Sequence, residues 1–379
     1  MLRFAQHDSG RPVTTELKWE RENEKTPMPQ FKISAILSVV AALTLVTFIS
    51  SFAVAQPKSI ADLANYRGAD REEMLKAGAK KESRLMWYTT LTAHKEIAAI
   101  FEARYPGIRV ETYRAGSRDL LRRILSEAQS KRNLVDVIET TPPTLMIMRD
   151  NKLLQPYYSP YLANFPADAK EEADKDRVLW TTDRESMVGL GFNRNMMRAA
   201  EAPRSFADLV KPEYRGKVGV SGDETGVRMI GAMLRARGEE YVKQLKGLDI
   251  KMHMISGGAM HELLAAGEMH TSISIFRNHV LAAQAKGAPT EWVPLDLVPT
   301  NAGGVALPIG GNNVHAGVLF ADFLISPEVQ KIYEERFRFA SSTKNYGFKR
   351  WYPEKGFTTE QYEKAQERWH KMLRDLVRR

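Results

Sequence analysis

The sequence contains no cysteine. Disulfides, thiolate metal sites and cysteine nucleophiles are excluded, and a chain of 379 residues can bury enough apolar surface to do without disulfide staples. No glycine-rich loop ends in Lys-Ser/Thr, so nucleotide hydrolysis is not expected of this chain. Val218-Gly219-Val220-Ser221-Gly222 falls short of the G-x-S-x-G elbow of hydrolases. His261-Glu262 opens like a zinc-protease helix, but Ala265 stands where the second histidine ligand is needed one turn on. Internal repeats, low-complexity tracts and runs of basic residues are also missing. Neither a cofactor, a resident metal nor nucleic acid is expected.

Only one long apolar run is present. Met28 to Gln56 has a basic start at Lys32, an apolar stretch from Ile33 to Phe52, and a close on Ala53-Val54-Ala55. This is the layout of an export signal cut after Ala55, which places the protein outside the cytoplasm, in the periplasm. The competing reading is a retained anchor, since the stretch is long enough to span a bilayer. Residues 1–27 are densely charged and do not resemble a leader; the simplest reading is a true start at Met28. The net charge of +9 favours acidic or anionic partners over cationic ones.

From Asp70 on, strand and helix alternate. Asp70 is placed to cap a helix to about Lys81, and Arg84–Thr89 reads as a buried strand. Helix 94–105 stops at Pro106-Gly107, and a second strand covers 108–113. Ser117 is expected to cap a helix over 119–132, and a third strand, 134–138, ends in Glu139-Thr140-Thr141. This alternation predicts a mostly parallel sheet covered on both faces. In such sheets ligands sit on the loops at the carboxyl ends of the strands. Those loops are Thr89-Thr90, Ala115-Gly116-Ser117 and Thr140-Thr141, whose hydroxyls and neighbouring helix N-termini suit an anion. In the second half, strands are expected at 187–193, 217–220, 271–276 and 303–308, with an amphipathic helix over 359–377. Ser221 and Thr225 flank a helix start and are further candidates. Arg184, amid polar residues, is a candidate cation for the site.

Several segments together resemble the periplasmic solute-binding proteins of ABC transporters, in the branch named for ferric-iron binding. They are Gly68-Ala69-Asp70, Trp87-Tyr88-Thr89-Thr90, Tyr105-Pro106-Gly107-Ile108, Val135-Asp136-Val137, Pro203 to Leu209, Pro212 to Lys217, Ala266-Gly267-Glu268 and Phe323 to Glu328. The resemblance implies an α/β fold of two lobes joined by crossing strands, the first near Thr182–Leu190 and the return near Ala302–Val305, with a ligand cleft between them. Lobe 1 would hold 84–181 and 303–345, after a lead-in over 56–83; lobe 2 would hold 182–302 and 346–379. It also implies an inner-membrane permease with a separate ATPase subunit as partner, and a monomer that binds a small solute.

The branch's iron-binding members carry two adjacent tyrosines beyond the strand that follows the Gly-Glu dipeptide. Counted from Gly267-Glu268, those positions hold Arg277 and Asn278 here. A guanidinium repels a metal ion but can clamp an oxyanion through parallel hydrogen bonds. The sequence therefore predicts a small organic or oxyanionic solute, held by Thr89, Thr90, Thr140, Thr141, Arg184, Ser221, Thr225, Arg277 and Asn278. Ferric iron or a metal chelate is the alternative. A reading of another class, an exported hydrolase or lyase on a similar frame, would need a histidine–serine–carboxylate arrangement in the cleft.

Overall fold

Two helices lead into the first sheet of the computed structural model, which describes residues 59–377: α1 (Ile60–Asn65) and α2 (Arg71–Glu82). Ser59 and Asp62 close α1 with a reciprocal capping box. Asp70 does not cap α2 as expected; its carboxylate instead accepts a hydrogen bond from the Tyr66 hydroxyl at 2.6 Å. The export signal and its cleavage point lie outside the described residues. No helix among the described residues is long and apolar enough to cross a membrane.

Three strand–helix units follow: β1 (Arg84–Thr89) with α3 (His94–Arg104), β2 (Arg109–Arg114) with α4 (Ser117–Gln129), and β3 (Val137–Thr140) with α5 (Pro142–Asp150). β2 and β3 flank β1 in parallel. Along β1 the side chains alternate between two cores, Leu85 and Trp87 entering one and Tyr88 the other. A parallel sheet covered on both faces has this pattern. In the first core Trp87 and Phe101 meet Phe320 edge-on, with ring centroids 5.0 and 4.9 Å away. Burying each such ring stabilises the fold by roughly 2–3 kcal/mol.

After the short strands β4 (Leu154–Gln155) and β5 (Lys170–Glu172) comes β6 (Val178–Asn193), a strand of 16 residues. The second half then runs α6 (Phe206–Leu209), β7 (Val218–Ser221), α7 (Glu224–Arg237), α8 (Glu239–Gln244), β8 (Lys251–His253), α9 (Gly257–Ala266), β9 (Thr271–Phe276), α10 (Arg277–Gln284) and β10 (Thr290–Val293). β11 (Val298–Pro308) returns to the first sheet, followed by α11 (Val314–Leu324), α12 (Pro327–Glu335), β12 (Arg350–Trp351) and α13 (Thr359–Val377).

β6 joins the two halves. Thr181 to Met187 pair antiparallel with β11, while Val188 to Phe192 pair with β9. β11 in turn pairs with β3 through Gly304–Ala306. The resulting strand order is β2-β1-β3-β11-β6-β9-β7-β8. Both crossing strands are longer than the sequence predicts. Thr181-Thr182-Asp183-Arg184-Glu185-Ser186 is polar throughout yet buried at every position, so it carries no apolar period to read. The C-terminal helix α13 reaches both halves: the Trp369 ring covers Gly231 of α7, and Thr359 hydrogen-bonds Asp150 at the end of α5.

Candidate functional site

The carboxyl ends of β1, β2, β3 and β9 each turn directly into a helix, and the four helix starts meet around one cavity of about 470 Å3. Ala93, Gly116, Thr141 and Phe276, the N-cap residues of α3, α4, α5 and α10, all stand in its wall. None of the four helices has a side-chain cap. The first-turn N–H groups of a helix have no intrahelical partner, and the helix dipole is positive there, so such a wall attracts negative charge. α5 opens on Pro142-Pro143 and contributes its dipole but few donors. Ser117 is the first helical residue of α4 rather than its cap; its hydroxyl accepts a hydrogen bond from Thr141 Oγ1 at 3.1 Å.

Two guanidiniums share this wall. The guanidinium of Arg114, at the end of β2, forms no ion pair or hydrogen bond among the described residues. Arg184 projects from β6 and is 8% exposed. Its Nη2 donates to Glu139 Oε1 at 2.7 Å and to Thr90 Oγ1 at 3.3 Å, while its Nε has no partner. Among the described residues the wall contains no aspartate, glutamate or tyrosine. Phe276, Phe337 and Phe339 supply apolar surface. His279 is held below the ordinary imidazole range by burial and by neighbouring His261.

Glu139 lies behind Arg184, fully buried. It accepts from Thr89 Oγ1 at 2.5 Å, from the Thr90 amide at 3.0 Å and from the Leu91 amide at 3.1 Å. Asp183 occupies a bulge in β6, where the pairing with β11 shifts between Gly303 and Gly304. Its Oδ2 accepts from the Tyr333 hydroxyl at 3.1 Å. Burial, reinforced by the nearby Glu139 and opposed by Arg184, pushes its carboxyl up to about 7. A Cβ at Gly303 would land on the carboxylates of Glu139 and Asp183, so this position has room for glycine alone.

The cavity wall brings together Thr90, Thr141, Arg184 and Asn278 of the residues singled out from sequence. The others point elsewhere. Thr89 ends a strand with its hydroxyl turned inward to Glu139, and Thr140, also fully buried, stands one residue short of the wall. Ser221 and Thr225 serve a carboxylate of the protein itself: Asp223 Oδ1 accepts from Ser221 Oγ at 2.8 Å and from the Thr225 amide at 2.9 Å, and Oδ2 accepts from the Gly257 amide at 3.2 Å. The seat expected for a solute anion at α7 is thus already filled. Arg277 swings away from the cavity, its guanidinium 5.1 Å from the centroid of the Tyr346 ring. The loop Ala115-Gly116-Ser117, expected at the cleft, does line the wall, while sequence reasoning missed Arg114, Ser186 and Asn301, which join it. For Arg114 a signal existed, its place at the carboxyl end of a predicted strand. His261 reaches Thr290 at 3.2 Å, and no cluster of three or more His, Asp or Glu among the described residues is placed to hold a metal.

Comparison with known proteins fits this architecture. The bacterial extracellular solute-binding protein family matches residues 132–356. A probable ABC transporter periplasmic-binding protein of Sinorhizobium fredii, y4fP, is 23% identical over 250 residues, covering 62% of this chain and 68% of that protein. Iron-bound HitA from Pseudomonas aeruginosa superposes with a TM-score of 0.60 at 20% identity, covering 77% of this chain and 99% of that one. AfuA from Actinobacillus pleuropneumoniae, with fructose-6-phosphate bound, gives 0.58 at 21% identity over 78% of this chain and 98% of that one.

Proposed function

The chain belongs to the bacterial extracellular solute-binding protein family of ABC transporters, and from that premise we propose that it captures a small organic oxyanion in the cavity between its two halves. The observation that carries this reading is the composition of the wall: two guanidiniums, four uncapped helix starts and no carboxylate among the described residues. Thr90, Thr141, Arg184 and Asn278 contact the solute, together with Arg114 and Ser117. A hard cation such as Fe(III) would find no phenolate or carboxylate ligand in that wall, which weighs against carrying over what HitA binds.

Capture works by closure. The solute adds contacts from α10 on one side and from α3 and α4 on the other, and only the closed form supplies both sets, so binding shifts the population toward it. The receptor acts as a periplasmic monomer and hands the solute to a membrane permease driven by a separate ATPase subunit. The scheme assigns no catalytic step; His279, the histidine of the wall, forms no hydrogen bond with a serine or carboxylate among the described residues. Native mass spectrometry of the protein released from expressing cells tests the reading. One bound organic anion per chain, lost in Arg114→Ala, is expected. Iron at one per chain, unaffected by that change, would overturn it.

A further inference from the structure

Two buried polar atoms in the cavity wall have no partner, and they differ in what they lack. Arg184 Nε is a donor without an acceptor, and Asn278 Oδ1 is an acceptor without a donor. Both residues are about nine-tenths buried, with exposures of 8% each. They stand on different halves of the molecule, Arg184 on the crossing strand beside Glu139 and Asn278 in the first turn of α10. A buried polar atom left unpaired is costly, and at these two residues of the cavity wall a ligand group can complete the structure. A bare inorganic anion satisfies the arginine and leaves the asparagine oxygen unpaired. A metal cation offers nothing to the arginine donor and is repelled by the two guanidiniums.

We infer that the solute is two-ended: an oxyanion head seated against Arg184 and Arg114, joined to a hydroxyl or amino group that donates to Asn278 Oδ1. This rests on the organic-anion reading above and narrows it to oxyanions carrying a hydrogen-bond donor. The two ends have different jobs. The head is held by the first half and the crossing strand; the donor is met by α10 from the second half. The donor group thus rewards closure, and an anion without it binds the open form about as well as the closed one. Phe276 and Phe339 leave apolar surface for a short carbon linker between the ends.

The test uses probes matched in carbon skeleton that differ in the donor group: ethyl phosphate against 2-hydroxyethyl phosphate and ethanolamine phosphate, and propionate against lactate. Affinities for the whole protein are read by calorimetry and by thermal shift with millimolar probe. Within a pair, the donor-bearing member is expected to bind at least about tenfold more tightly, the factor that one hydrogen bond to an otherwise unpaired buried group supplies. That ratio should fall to about one in Asn278→Leu and persist in Asn278→Asp, because aspartate keeps the acceptor; its added charge weakens both members of a hydroxyl pair alike and raises the ratio for the ammonium-bearing ethanolamine phosphate. A ratio near one in the unaltered protein, with both members bound, overturns the two-ended solute and leaves the anion reading standing. A ratio that survives Asn278→Leu, or collapses in Asn278→Asp, overturns the role given to Asn278 Oδ1. No response to any oxyanion overturns both readings.

Discussion

Two sets of helix starts in this protein meet the same electrostatic problem in opposite ways. At α7 and α9 the protein provides its own anion: Asp223 accepts from the Thr225 and Gly257 amides, and Ser256 caps α9 as well. Around the cavity, α3, α4, α5 and α10 are left without side-chain caps. An uncapped start gives up roughly 1 kcal/mol of helix stability, and four converging on one space amount to a standing preference for external negative charge. The difference shows that an anion seat is recognised less by its helix than by whether a carboxylate of the chain already sits there.

The sharpest way to break the contrast is Arg184→Ala. It empties the cavity of its buried cation and leaves Glu139 buried without its ion-pair partner. Removing one partner of a buried pair costs about 3–5 kcal/mol, so a urea titration should show a clear fall in midpoint, and solute binding should vanish. If stability is unchanged, Glu139 is satisfied by Thr89, Thr90 and Leu91 alone, and the arginine belongs wholly to the solute.

Asp183 tests whether charge behind the wall matters. Its folded-state carboxyl, raised to about 7, holds its proton where the unfolded chain has already lost it near the ordinary aspartate value of 3.8. Unfolding therefore releases a proton between those values, and this residue's contribution to stability falls as pH rises from about 4 to 7. At 1.36 kcal/mol per pH unit the change is at most about 4 kcal/mol. Asp183→Asn should flatten that slope relative to the unaltered protein. Solute affinity should also weaken above pH 7 in the unaltered protein, as the newly charged carboxylate competes for Arg184, and the variant should lose this trend. Parallel slopes in the two proteins would show that Asp183 is ionised throughout.

Two substitutions exchange the sets. Asp223→Ala strips the cap from α7 and should cost about 1–2 kcal/mol in thermal or urea unfolding, without altering solute affinity. Gly116→Asp does the reverse at α4. Gly116 has extended backbone angles (φ −68°, ψ 155°), and its added Cβ would have no neighbour closer than 3.9 Å, so aspartate fits. Stability should rise by only a few tenths of a kcal/mol, because glycine is already a tolerable N-cap. Solute affinity should drop by about tenfold or more, since the new carboxylate occupies the seat. Calorimetry showing unchanged affinity would remove α4 from the site.

Much of this was legible in the sequence, and the failures share one cause. The three βα units and the helix over 359–377 announce themselves because their apolar positions follow a period. Thr90 and Thr141 could be placed because the alternation of elements fixes which ends of the strands carry ligands. What sequence could not give is the partner of each polar group. The resemblance places the first crossing near Thr182–Leu190, but periodicity does not mark it, because Asp183, Arg184 and Glu185 are buried by pairing with one another's neighbours, from Glu139 to Arg350 and Tyr352. Ser221 and Thr225 looked like a vacant seat because nothing local says that the Asp223 side chain folds back between them. Both are outcomes of tertiary contact, invisible to spacing.

Arg277 is the smallest expected effect and the most direct check on that lesson. Its position by count from Gly267-Glu268 suggested the clamp on the solute, yet its guanidinium rests on Tyr346, whose hydroxyl is in turn bonded to Glu334 and whose oxygen accepts from the Ser341 amide. A partly exposed contact of a cation with a ring is worth about 0.5–1 kcal/mol. Arg277→Ala should therefore lower stability by no more than that and change solute affinity less than about threefold, well below the effect of Gly116→Asp. Calorimetric titration of both variants against the same solute makes the comparison. Should Arg277→Ala prove the more damaging of the two, closure must draw the arginine off Tyr346 and into the cavity. The second half would then bring its own cation to the anion, and the contrast between bare and capped helix starts would explain only the open form.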